Sequence, residues 1–137
     1  MFKADLNKKN YDIMVMRILF VGIHNKLGTE PLDSKTKSGK LIDKIIINLK
    51  EHTCIKTNLF DCDYIPKEEI EKHKQAWIEK HKPSDNDIIV LLGNNVHKLF
   101  PDNIQSKLIK IQHPSSVWSK QSQEKYVKNV LREIEGK

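Results

Sequence analysis

Five consecutive apolar residues, Ile88-Ile89-Val90-Leu91-Leu92, lie between Asp87 and the turn-forming Gly93-Asn94-Asn95. A strand without alternating polar positions must be covered on both faces, and that places it inside a layered α/β sheet. Arg17 to Val21, the end of an apolar stretch that starts at Ile13, reads as a second core strand. Thr53 to Phe60, rich in β-forming residues, and Leu108 to Gln112 supply two more. Helical spacing fills the intervals. Leu41, Ile42, Ile45, Ile46 and Leu49 share one face of a helix expected over Ser38 to Glu51. Pro66-Lys67-Glu68-Glu69 opens another, with proline in the first turn and acids at the positive dipole end. It runs to about Lys82, where Pro83-Ser84-Asp85-Asn86 stops it. A short helix over Val96 to Phe100 precedes the fourth strand. A closing helix, Gln121 to Glu135, carries Tyr126, Val127, Val130, Leu131 and Ile134 on one side.

Alternation of this kind implies a three-layer α/β/α sandwich around a four-stranded, mainly parallel sheet. A single domain is expected over residues 13–137, after a polar, loosely held segment at 1–12. No internal repeat, low-complexity tract or interdomain linker interrupts it. The 24 Lys and Arg outnumber 18 Asp and Glu, leaving a formal charge of +6. That excess suits a polyanion, nucleic acid first and an acidic membrane second, although a solvated lysine-rich surface has the same composition. Two cysteines, Cys54 and Cys62, are too few for a disulfide framework or a four-thiolate site. With no stretch long enough to cross a bilayer and a polar start unlike a signal peptide, the expectation is a soluble cytoplasmic protein.

Ligands of open α/β sheets bind outside the carboxyl ends of the strands. Two strands here end in polar loops that could face one crevice: Phe20-Val21-Gly22-Ile23-His24-Asn25-Lys26 and Ile111-Gln112-His113-Pro114-Ser115-Ser116-Val117-Trp118. Ser38-Gly39-Lys40 lacks the upstream glycine of a phosphate-binding P-loop, which excludes nucleotide hydrolysis through that motif. His52, His73, His81 and His97 are scattered at spacings that form no metal site.

Six segments, in order, resemble the uracil-DNA glycosylase superfamily. Gly22-Ile23-His24-Asn25-Lys26 sits where that family carries G-E-A-P-G or G-I-N-P-G. Pro31-Leu32-Asp33 and Ser38-Gly39-Lys40-Leu41-Ile42-Asp43 are similar to P-F-V-G-x-A-G-x-L-L-D. Lys56-Thr57-Asn58-Leu59-Phe60-Asp61-Cys62 resembles T-N-V-V-K-C, and Glu68 through Trp77 resembles E-E-I-x-x-C-x-x-W-L. Ile88 to Gly93 is similar to I-V-x-L-G, and His113-Pro114-Ser115 to H-P-S or H-P-A. The nearest flavour is the iron–sulfur branch, in divergent and shortened form.

The resemblance implies an enzyme that flips a damaged base, uracil or a related deaminated base, and hydrolyses its N-glycosidic bond. It casts His113 as the donor to the departing base and Asn58 as the reader of its edge. Gly22, Ile23, Leu32 and Ser115 would line the base site. Ser116, Val117, Trp118, Lys40 and Lys120 would meet DNA, with Val117 or Trp118 as an apolar wedge and Lys26, Lys35 and Lys37 adding phosphate attraction. DNA is the implied partner of a monomer, with no membrane, no cofactor and no metal.

The departures from the family pattern bear on catalysis. Ile23 and His24 occupy the positions of the residues that position or activate water in active relatives, with Asn25 one step later. His24 as a base near neutral pH, or Asn25 as a water-orienting amide, would have to substitute. Leu32 replaces the aromatic that stacks on the base. Cys62 coincides with one cluster cysteine and His73 with another, while the amino-terminal pair is missing, so no iron–sulfur cluster is expected. Blander roles compete at each position: His24 as an ordinary loop residue, Asn58 as a turn cap, Trp118 as a cover for the core, Trp77 as helix packing. Three readings remain from the sequence: a working glycosylase, a catalytically degenerate protein that binds nucleic acid or a nucleobase, and an α/β protein with a protein partner.

Overall fold

The computed structural model describes residues 16–23, 31–60, 66–101 and 104–136. The expected segment at 1–12, together with His24, Asn25, Lys26 and Cys62, lies outside them. Among the described residues there are four strands: β1 Arg17–Gly22, β2 Thr53–Asn58, β3 Ile88–Leu92 and β4 Lys107–Ile111. They form one sheet in the order β2-β1-β3-β4, and every pairing is parallel. The described residues also form the helices α1 Lys37–Ile46, α2 Ile70–His81, α3 Asn94–Leu99 and α4 Lys120–Glu135. A 3-10 turn, Lys67–Glu69, leads into α2, and another, Pro114–Ser116, follows β4.

Period-two alternation in the central strands feeds two separate cores. Ile18, Phe20, Ile88, Val90 and Leu92 face a cluster with Leu41, Ile42 and Ile45 of α1 and Tyr126, Val130 and Ile134 of α4. Leu19, Val21, Ile89 and Leu91 face the opposite cluster, with Trp77 of α2 and Val96 of α3. The three layers therefore match the expected sandwich. Each of these side chains contributes roughly 1.5–3 kcal/mol by leaving water. The helices are held by this packing more than by intrinsic propensity.

Local chemistry sets the ends of the elements. Thr36 caps α1 by accepting from the Gly39 N–H at 3.0 Å. The helix ends at Ile46, earlier than the apolar spacing predicts, where the Asn48 side-chain amide donates to the Lys44 carbonyl and tight turns carry Leu49 into the core. A Cβ on Gly39 would lie 1.9 Å from the Asp33 carbonyl oxygen and 2.4 Å from that of Leu32. Only glycine lets the 31–36 turn settle on the start of α1. Leu32 itself adopts a left-handed φ of 49°. Its carbonyl accepts from Lys56 Nζ at 2.9 Å, and Lys56 also pairs with Asp43 of α1. Gly93, at φ 95°, turns the chain so sharply after β3 that α3 begins at Asn94, two residues before the expected start.

The amino edge of the sheet is closed by charge. Arg17, entering β1, donates to the Asp87 carboxylate at 2.6 Å and to the His81 carbonyl at 2.7 Å. Asp87 also accepts from the Ser84 N–H at 2.9 Å. Burial alone would raise this carboxyl, but the bonds from Arg17 and Ser84 outweigh it and hold the group below its ordinary value of 3.8. Because the folded value is depressed, the stabilisation is complete above the ordinary carboxylate range and is lost as pH falls below it. Asp87→Asn is expected to cost about 2 kcal/mol in urea unfolding at pH 7. That deficit should shrink as pH falls below 3.8. A deficit that stays constant through the acid range would exclude this linkage.

Candidate functional site

The strand order gathers four chain exits at the carboxyl edge of the sheet. Asn58 ends β2, Gly22 ends β1, Gly93 follows β3, and His113 follows β4 by two residues. The outer exits carry the polar side chains Asn58 and His113, and the two between them carry glycine. At a strand spacing of about 4.8 Å, the outer strands lie about 14 Å apart, with a glycine floor between. Gly22 is in register with Asn58, and a Cβ there would lie 2.9 Å from Asn58 Oδ1. A Cβ on Gly93 would lie 3.2 Å from His113 Cβ. Each glycine thus leaves room for the polar side chain beside it.

His113 is half-buried and tightly tied into its loop. Its Nδ1 accepts from the Ser115 N–H at 3.1 Å and lies 2.8 Å from Ser115 Oγ. An accepting Nδ1 places the proton of a neutral ring on Nε2, so that nitrogen is a donor. The His113 carbonyl accepts from Ser116 N and Ser116 Oγ, at 3.0 and 2.7 Å. Gln112 reaches over the turn to Ser116 Oγ at 2.8 Å.

Thr57, the residue before Asn58, joins a polar network with α2. Trp77 Nε1 donates to Thr57 Oγ1 at 3.2 Å, and that oxygen lies 3.1 Å from His81 Nε2. Burial, then the charges of Lys80 and Arg17, lower the His81 pKa below 6.5, which keeps the ring neutral and able to accept from Thr57. Trp77 is buried as expected, and its indole has this second job. The sequence does not point to this pair: Thr57 reads as a β-former and His81 as one of several scattered histidines.

The remaining candidates fall in different places. Ile23 packs its side chain against the cluster of the α2–α3 face, and its carbonyl accepts from Phe60 N at 3.0 Å. Leu32 packs on the other cluster. Val117 is 3% exposed, within the core, whereas its neighbour Trp118 is 80% exposed and so does not cover the core. Lys37 Nζ stands 5.1 Å from the Trp118 ring centroid, a cation–π contact that joins the 31–37 segment to the 113–119 loop. Lys40 and Lys120 are exposed on α1 and α4. Beside Trp118 a groove of about 590 Å³ runs between the β4 exit and α4.

Among the described residues no group of three or more His, Cys, Asp or Glu gathers around a common point. His73 stands edge-on to Phe60, 6.1 Å between ring centroids. A four-thiolate cluster does not fit a chain with two cysteines. None of the helices described is long and apolar enough to cross a membrane.

A parallel open sheet in the order β2-β1-β3-β4, with helices on both faces, defines an open α/β protein, the class in which ligands bind outside the carboxyl ends of the strands. The family model of the uracil DNA glycosylase superfamily matches residues 9–135, and the chain belongs to that superfamily. No curated protein and no solved structure gives a significant match.

The contact at Gly22 can be tested directly. Gly22→Ala should turn the Asn58 amide aside at a stability cost of about 1 kcal/mol, because the clash is with the end of a flexible side chain. The Asn58 side-chain NH2 resonances are expected to move in an NMR spectrum while the core methyl pattern persists. Unmoved Asn58 resonances would refute the contact.

Proposed function

We propose that the protein is a DNA glycosylase that seats a flipped uracil or related deaminated base over the glycine floor and hydrolyses its N-glycosidic bond. The observation that carries this reading is the row Asn58, Gly22, Gly93, His113 along one edge: two hydrogen-bonding side chains on outer strands about 14 Å apart, with glycines at the two exits between them. A planar base fits such a slot. The Asn58 amide, donor and acceptor at once, reads the Watson–Crick edge. The Nε2–H of His113 donates to the base oxygen on which negative charge grows as the bond to the sugar breaks. Water then adds its hydroxyl to the sugar carbon, and the departing base takes up a proton. His24 and Asn25, the next residues after Ile23, are the groups proposed to orient that water. Ser115 and Ser116 meet phosphate, and Lys40, Lys120 and Lys37 add nonspecific attraction to the strand. The exposed Trp118, on the same loop as His113, fills the gap the base leaves in the stack.

Ile23 favours a second reading. A side chain committed to the apolar layer stands where active relatives place a water-activating group, which suits a protein that binds a flipped base without cleaving it.

One assay separates the two. Labelled oligonucleotides carrying uracil, hypoxanthine or xanthine, single- and double-stranded, are scored for alkali-labile sites and for binding. Release is expected from wild type, reduced at least about 100-fold in His113→Ala. Trp118→Ala should instead weaken duplex binding by about 10-fold, the worth of roughly 1.4 kcal/mol. Binding without release identifies the degenerate form, and release unchanged in His113→Ala rejects the role given to that ring.

A further inference from the structure

The backbone that carries His113 is fastened from both faces of the sheet. From α3, His97 Nε2 lies 3.0 Å from the Leu91 carbonyl and 2.9 Å from the Ile111 carbonyl. Both acceptors lack hydrogens to give, so Nε2 carries the proton and shares it between them. The Ile111 carbonyl also accepts from the Gly93 N–H at 3.0 Å. From α4, in the other layer, the Tyr126 hydroxyl donates to the next carbonyl, that of Gln112, at 2.7 Å. Burial pushes the Tyr126 phenol far above its ordinary range, so it stays a neutral donor. The third carbonyl in the series, that of His113, is taken by Ser116. Three consecutive carbonyls at the β4 exit therefore have donors, and the side-chain donors to the first two come from opposite helical layers.

We propose that His97 and Tyr126 are a pair of positioning residues that fix the β4 exit and thereby set the orientation and tautomer of the His113 ring. The link is geometric. Gly93 is close against His113 Cβ, and His97 and Gly93 bind the same carbonyl two residues before it. If the Ile111 and Gln112 carbonyls rotate away, the Cα–Cβ vector of His113 rotates too, and the Ser115 N–H to Nδ1 bond cannot keep its alignment. Neither residue faces the base. Each acts through the backbone, and a misplacement of 1 Å in a catalytic group can cost about 100-fold in rate. The inference rests on the reading of His113 as the donor to the base.

The test uses the full chain and conservative variants. His97→Phe keeps a ring and removes its donor; His97→Gln restores a donor of similar reach. Tyr126→Phe removes one hydroxyl. The first readout is the imidazole nitrogen NMR spectrum of His113, assigned by comparison with His113→Gln, which needs no substrate. Wild type is expected to show the Nε2–H tautomer with an accepting Nδ1. His97→Phe and Tyr126→Phe should show a mixed tautomer population and a changed His113 titration, and His97→Gln should return toward wild type. The second readout is base release, in which the two Phe variants should lose about 10- to 100-fold in kcat with KM within about twofold. A lowered melting temperature with an unchanged His113 spectrum would mean that the two residues only stabilise the fold, and would overturn the proposal. Should wild type release no base, the glycosylase reading fails, while the nitrogen spectrum still decides whether the pair positions His113.

Discussion

β1 and β3 lie at the centre of the sheet with apolar side chains on both faces, and the rest of the molecule follows from covering them. Covering two faces demands helices above and below, and helices between successive strands make the strands parallel. Parallel strands deliver all their carboxyl ends to one edge. The buried strands have no room for polar side chains along their length, so the chemistry collects where they stop. Here the two central strands stop at glycine and the outer two lead to Asn58 and His113.

At the opposite edge, Arg17 and Asp87 fasten the entries of the same two strands. The ion pair is worth having because the carboxylate side chain is only 8% exposed and Ser84 shares its charge. The two central strands are thus held at their start by charge, along their length by packing, and at their end by hydrogen bonds to carbonyls.

Much of this is legible in the sequence, and the limits have identifiable causes. Ile88 to Leu92 and the spacing of Leu41, Ile42 and Ile45 announce strand and helix directly, and the strand count and layer arrangement follow. Periodicity alone extends α1 through Leu49, because Leu49 is indeed buried; the Asn48 side chain that ends the helix sooner makes a local bond that hydrophobic spacing does not register. Val117 and Trp118 are both apolar and adjacent, so only the 3-10 turn after β4 decides that one enters the core and the other meets solvent. His97 reads as one of several scattered histidines, although it lies four residues past Gly93. Its partners are two main-chain carbonyls on different strands, and backbone carbonyls leave no trace in composition. Thr57 and Tyr126 are legible as a strand residue and a core residue, but the bonds of their hydroxyls are not, because those bonds join groups far apart in the chain.

The hydrogen bonding of His113 bears on what the proposed reaction can depend on. An imidazole whose Nδ1 accepts from the Ser115 backbone presents its proton on Nε2, and a donor at that point helps a leaving base rather than an attacking water. By the family resemblance Ile23 stands at a position expected to help the water, yet its side chain packs into the apolar layer of α2 and α3. On the proposed reading, the site therefore invests most in stabilising the departing base and little in activating the nucleophile. Such a division suits N-glycosidic cleavage with substantial bond breaking before water arrives, where charge on the base is the main obstacle. Fixing the His113 loop from both layers is consistent with that emphasis, since a donor aimed at developing charge is effective only when it need not reorganise as the charge appears.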